Sequence, residues 1–124
     1  MVAKDTVIPI NNGFYTVDKL NVNQNIHGAN GLTFLSRIDY AREYGIIVIT
    51  DHFEVTVSAD QHFITESGPK AASKLVAGDE IYTSNGYEPV SSVSNTEEIY
   101  DMFYVATQDG TFQANGFYLT NNNG

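Results

Sequence analysis

The chain has 124 residues and no cysteine, and 6 Lys+Arg set against 15 Asp+Glu give a formal net charge of −9. That length fits one domain, the 42% hydrophobic content is enough to fill one core, and the missing thiols exclude disulfides, thiolate metal sites and a cysteine nucleophile. The acidic balance argues against an electrostatic hold on nucleic acid or an anionic membrane. No apolar run nears the ~20 residues of a membrane span or has signal-peptide form, so a soluble cytoplasmic monomer is expected.

Taken in chain order, Val/Ile/Tyr/Phe-rich runs at residues 6–10, 46–50, 53–58, 80–83, 98–107 and 111–119 predict strands. Between them stand turn signals: Asn12-Gly13, Asn30-Gly31, Ser67-Gly68-Pro69, Asn85-Gly86, Asp109-Gly110 and Asn115-Gly116. Several are Asn/Asp-Gly pairs that suit tight hairpins. Residues 17–20 and 70–75 predict helical segments of a turn or so, and 35–44 shows neither helical nor strand periodicity. There is no solenoid-length repeat, and Asn121 to Gly124 alone reads as a tail. The fold class is therefore all-β.

Patterns for familiar chemistries are missing: there is no phosphate-binding Gly-rich loop with lysine, no helical histidine pair and no Gly-x-Ser-x-Gly elbow. His27, His52 and His62 are not clustered, so neither a metal nor another cofactor is expected.

The informative stretch runs from Val57-Ser58-Ala59-Asp60-Gln61-His62-Phe63-Ile64-Thr65-Glu66-Ser67-Gly68 to Leu75-Val76-Ala77-Gly78-Asp79-Glu80-Ile81. It resembles the block of inteins and hedgehog-like autoprocessing (Hint) domains in which a strand delivers a histidine and a Thr-x-x-Gly turn, then closes on Leu-x-x-Gly-Asp-x-Ile. Asp5-Thr6-Val7-Ile8, Asn12-Gly13 and Val17-Asp18-Lys19-Leu20 are similar to the family's first block. Tyr100-Asp101, Val105 and the run Phe112 to Asn121 are similar to its last two. The order and spacing agree over almost the whole chain, with little signal between residues 21 and 50. The resemblance implies a horseshoe-like fold of many short antiparallel strands with one or two short helical turns. It divides the chain into a splicing domain over 1–121 and flanking extein residues 122–124.

It also implies roles. In protein splicing the hydroxyl or thiol of the first residue attacks the preceding carbonyl, a downstream nucleophile takes over the acyl group, and a terminal Asn cyclises to free the domain. His62 is placed to protonate the first leaving nitrogen; without the resemblance it reads as a half-buried strand histidine. Three residues before it, where the family has Thr, stands Ala59, and Ser58 is expected to substitute through a bulged strand. Asp101 takes the place of the Asp that assists acyl transfer, its alternative being a strand-end residue holding a turn N–H. The family's histidine two residues before Phe112 is replaced by Gly110.

The resemblance implies that the terminal Asn is Asn121, five positions after Gly116, with a tail reading preferred for Asn122 and Asn123; the run of three Asn leaves the junction open between them. Thr120 holds the place of the usual penultimate histidine, so oxyanion stabilisation must come from backbone N–H groups or another donor. Met1 occupies the first nucleophile's position, where Ser is implied, and a thioether has no proton to lose. Asn122 stands in place of the acceptor hydroxyl. The resemblance thus implies a cysteine-less mini-intein without a homing endonuclease, inactivated at both nucleophiles, and either continuous in nature or split into complementary fragments. Its partners are flanking exteins. Alternatives are a non-ligating Hint autoprocessing module and a β-rich binding module with no chemistry.

Overall fold

A computed structural model describes residues 1–121, so Asn122, named above as acceptor position, and the flanking segment 122–124 lie outside the described residues. In chain order the elements are β1 (Val2–Ala3), β2 (Val7–Ile10), β3 (Gly13–Thr16), a 3₁₀ turn (Val17–Lys19), β4 (Asn25–Gly28), β5 (Gly31–Ile49) and β6 (Glu54–Val57). They continue with β7 (His62–Thr65), β8 (Gly68–Ala71), a second 3₁₀ turn (Ala72–Lys74), β9 (Glu80–Thr83), β10 (Gly86–Pro89), β11 (Ser92–Thr107), β12 (Thr111–Ala114) and β13 (Phe117–Thr120). The all-β horseshoe-type expectation holds. No helix among the described residues is long and apolar enough to cross a membrane.

Two antiparallel sheets enclose one core. The first has the order β11-β1-β6-β5-β4-β2-β3, and the second β10-β9-β13-β7-β8 with β12 paired to β13. The six turn signals become hairpin or strand-connecting turns, because the Gly of each, joined by Asn115 in the last, takes positive φ. Not every strand is short: β5 has 19 residues and β11 has 16. They pair along most of their length, with a break between Asn95 and Ile99 where three residues of β11 face Gly45 alone. Such a bulge bends a strand. Gly45 lies directly against the Tyr100 ring and leaves no room for a Cβ there.

Residues 35–44, unassigned by periodicity, form the middle of β5. The half-exposed arm of that strand has polar residues on both faces, which erases the period-2 signal. Residues 70 and 71, expected to be helical, close β8 instead, and only Ala72–Lys74 turns.

The halves of the chain repeat at one offset. β7, β8, the second 3₁₀ turn, β9 and β10 begin at His62, Gly68, Ala72, Glu80 and Gly86. Their counterparts begin at Val7, Gly13, Val17, Asn25 and Gly31, 55 residues earlier in every case. Backbone bonds repeat with them: Thr6 N–H to Ala3 O (3.0 Å) and Gln61 N–H to Ser58 O (3.1 Å), then Val17 N–H to Thr6 O (2.9 Å) and Ala72 N–H to Gln61 O (2.8 Å). At that offset the sequence itself matches at Gly13/Gly68, Lys19-Leu20/Lys74-Leu75, Ile26/Ile81 and Asn30-Gly31/Asn85-Gly86, a repeat that a reading for solenoid-length periods passes over.

The core centres on Phe63, Phe112 and Phe117, each fully buried. Phe63 and Phe117 meet edge to face with centroids 5.6 Å apart, and Phe53 meets Phe117 at 5.9 Å. On β13, Phe117 and Leu119 point into this core and Thr120 away from it. The core therefore fixes the strand that delivers Asn121.

Candidate functional site

Strand β1 lies between β6 and β11, with Val2 opposite both Val57 and Phe103. Met1 therefore emerges where β6 ends. Its carbonyl accepts the Ser58 N–H at 2.9 Å. Its amine donates to Ser58 Oγ at 2.8 Å and to Gln61 Oε1 at 2.9 Å. Ser58 reaches this place without the expected bulge: β6 pairs regularly with β5 up to Val57, then the chain turns over residues 58–61. The Ser58 hydroxyl accepts from Met1 and passes its own proton toward Asp60 Oδ1 at 2.7 Å, leaving Met1 O at 3.4 Å the weaker acceptor. Ala59, exposed, has no hydroxyl to offer, and its carbonyl accepts from Ser73 N–H.

Burial pushes the Met1 amine down from 8.0 to about 6, against the opposing fields of Asp60 and Glu43. Ser58 and Gln61 are each 2% exposed, so these bonds operate largely shielded from water.

The Gln61 side chain has a second task. Its Nε2 donates to Thr120 O at 2.8 Å and to His62 O at 3.2 Å. One amide group thus touches the nitrogen of Met1 and the carbonyl preceding Asn121, joining the two ends of the described chain. His62 follows directly, on the β7 residue paired with Thr120 in β13 and Ala71 in β8. Its Nδ1 lies 2.9 Å from the Asp60 carbonyl. A carbonyl only accepts, so Nδ1 carries a proton and Nε2 is the ring nitrogen left for proton exchange.

At the other end, Asn121 N–H donates to Gly110 O at 3.0 Å. Asn121 Oδ1 is 3.3 Å from Thr107 N and 3.4 Å from Thr107 Oγ1. The single Thr107 hydroxyl proton is better used on Thr111 O at 2.6 Å, so the backbone N–H is the donor that Asn121 Oδ1 receives. The Tyr104 hydroxyl donates to the Asn121 backbone carbonyl at 2.9 Å. The Arg37 guanidinium lies over the Tyr104 ring, 5.5 Å from its centroid.

Of the residues singled out from sequence, the structure brings together Met1, Ser58, Ala59, His62, Thr120 and Asn121. It does not bring Asp101 to them. Asp101 lies mid-strand, not at a strand end, and its backbone carbonyl accepts from Lys4 N–H. Its carboxylate takes the Tyr40 hydroxyl and faces Lys4 and Arg42. Asp101 thus sits beside Lys4, three residues along the extended chain from Met1, roughly 10 Å.

Asp60, Gln61, Tyr104 and Thr107 were missed. For Gln61 a signal existed: strand alternation places it on the inward face with Phe63 and Thr65, and a long polar side chain there needs partners. Tyr104 is one of 8 tyrosines and nothing in the sequence separates it. Among the described residues no group of three or more His, Asp or Glu side chains is placed to hold a metal.

No protein-family model matches the sequence, and no curated protein sequence matches it. Solved structures do match in three dimensions. A variant of the gp41-1 intein superimposes with a TM-score of 0.91 at 12% identity, covering 96% of this chain and 97% of that one. A DnaB intein from Synechocystis sp. PCC 6803 gives 0.90 at 16% identity, with 96% of each chain covered. The Msm DnaB1 intein splicing domain, solved with zinc bound, gives 0.86 at 20% identity, covering 98% of this chain and 100% of that one. The chain has the intein, or Hint, fold over almost its whole length.

Proposed function

We propose that the chain is a single-turnover, self-processing domain of the protein-splicing type. The observation that carries this reading is the Gln61 amide, which holds position 1 and the residue before Asn121 in one buried cluster. Splicing needs this proximity, because an acyl group must pass from one junction to the other. Flanking polypeptides on both sides are the substrates, and two complementary fragments would form the same cluster if the natural chain is split.

With a hydroxyl at position 1, its oxygen bonds to the preceding carbonyl carbon, the C–N bond breaks, and the hydroxyl proton ends on the freed amine. Ser58 and Asp60 form the hydrogen-bonded path next to that nitrogen, and His62 is the neighbouring acid. A hydroxyl at 122 then takes the acyl group, and Asn121 Nδ2 closes on its own backbone carbonyl to release the joined flanks. Met1 and Asn122 supply neither hydroxyl, so the chain as written is limited to cleavage after Asn121. Asp101, away from the cluster, has no part in this reading; its role in transfer stays an expectation from resemblance.

The test is the double variant Met1→Ser, Asn122→Ser between two reporter proteins, with Asn121→Ala as control. Ligated reporters are the expected result. Cleavage without ligation would favour a non-ligating autoprocessing module. An intact, folded precursor would leave a binding module.

A further inference from the structure

Cyclisation of an asparagine places negative charge on its backbone carbonyl oxygen, and an oxyanion in a partly dry site needs a hydrogen-bond donor aimed at it. Neither place where histidine was expected supplies one here, since those positions hold Thr120 and Gly110. We infer that Tyr104 is the catalytic oxyanion donor for cleavage after Asn121, its hydroxyl bonded to the carbonyl oxygen that becomes negative. This rests on the reading of Asn121 as the terminal residue of a self-processing domain.

Three contacts fix the reacting group. Tyr104 Oη lies 2.9 Å from Asn121 O, within the range of a good donor. The Asn121 N–H is tied to Gly110 O at 3.0 Å, which sets the backbone on the near side of the scissile bond. Thr107 N–H, 3.3 Å from Asn121 Oδ1, restrains the side chain. That last contact has a chemical consequence. When the side-chain amide gives up a proton to become a nucleophile, the charge collects largely on Oδ1, where a backbone donor already stands.

The step balances within the chain. Asn121 Nδ2 bonds to the Asn121 carbonyl carbon, and the resulting oxyanion takes the Tyr104 hydrogen bond. The C–N bond to residue 122 breaks, and the proton lost from Nδ2 ends on the departing amine. Tyr104 keeps its own proton throughout. The ring is held for this task on the half-buried face of β11 by Arg37 above it.

The experiment appends a reporter after Gly124 of the full chain and follows its release by mass spectrometry, which also detects the succinimide on Asn121. Tyr104→Phe keeps the ring and its contact with Arg37 and removes only the hydroxyl. Release is expected to slow on the order of 10²-fold, with an unchanged urea midpoint. Tyr87→Phe, the same deletion on an exposed tyrosine, should leave the rate unaltered. Release by Tyr104→Phe as fast as by the parent, with Asn121→Ala inert, overturns the role of Tyr104 and leaves the reading of Asn121 standing. A parent that never cleaves after Asn121 overturns both. If Tyr104→Phe loses stability, 3-fluorotyrosine at position 104, a stronger donor in the same frame, should accelerate release at a pH where it stays protonated; no acceleration overturns the assignment.

Discussion

Both ends of the Gln61 side-chain amide are committed, its oxygen to Met1 and its nitrogen to Thr120 and His62, and only 2% of the residue is exposed. Gln61→Leu keeps most of the volume and removes all three bonds. Leaving buried polar groups without these partners should cost about 1–3 kcal/mol, read as a lower urea midpoint. The same variant should weaken the link between the two junctions, so that with Ser restored at 1 and 122 cleaved fragments accumulate at the expense of ligated product. An unchanged midpoint and product ratio would show the amide to be a bystander. His62 and Asn121 were legible because their types fall at spaced positions in a resemblance. Gln61, Asp60 and Tyr104 were not, since their importance comes from what the folded chain brings beside them. Gln61 gains its partners from residues 60 positions upstream and 59 downstream.

At the scale of elements, the β12–β13 hairpin positions Asn121, and its turn is the sensitive point. Asn115 and Gly116 have φ of 49° and 91°, the two positive values of a tight hairpin turn. Asn115 also ties the hairpin to the rest of the fold, its Oδ1 accepting from Val7 N–H at 2.7 Å and its Nδ2 donating to Glu54 O at 3.0 Å. A Cβ on Gly116 would enter the ring of Phe53, whereas one on Gly31, at φ 106°, would meet open space. Gly31→Ala should therefore cost about 1 kcal/mol from backbone strain alone, and Gly116→Ala at least about 2 kcal/mol more as the Phe53–Phe117 contact is displaced. Parallel urea titrations check the difference; equal losses would mean that Phe53 moves aside freely. The Asn-Gly pair made this hairpin readable from sequence. The arm of β5 beyond the buried Leu35 was not readable, because water reaches both of its faces over residues 36–44.

For the molecule as a whole, the Met1 amine couples stability to pH in a chain that begins at that residue. Its value falls from 8.0 when unfolded to about 6 when folded, so between these the unfolded state binds more protons. Stability should rise as pH increases from 6 to 8, by about 2–3 kcal/mol at most, and this contribution should be lost below 6. Denaturation of the chain against its N-acetylated form isolates the effect: the difference should grow in that window and level off outside it. A constant difference across pH 5–9 would contradict the burial of the amine.

The 55-residue offset between the halves puts Ala3, Thr6 and Val7 at the places of Ser58, Gln61 and His62. Among the described residues, the buried Thr6 hydroxyl has no hydrogen-bond partner. The two bends therefore share a backbone and differ in what they display: one presents hydroxyl, amide and imidazole groups, the other the side chains of Ala3, Thr6 and Val7, so the path of the chain is set by the backbone bonds and the side chains of either bend can change without redirecting it.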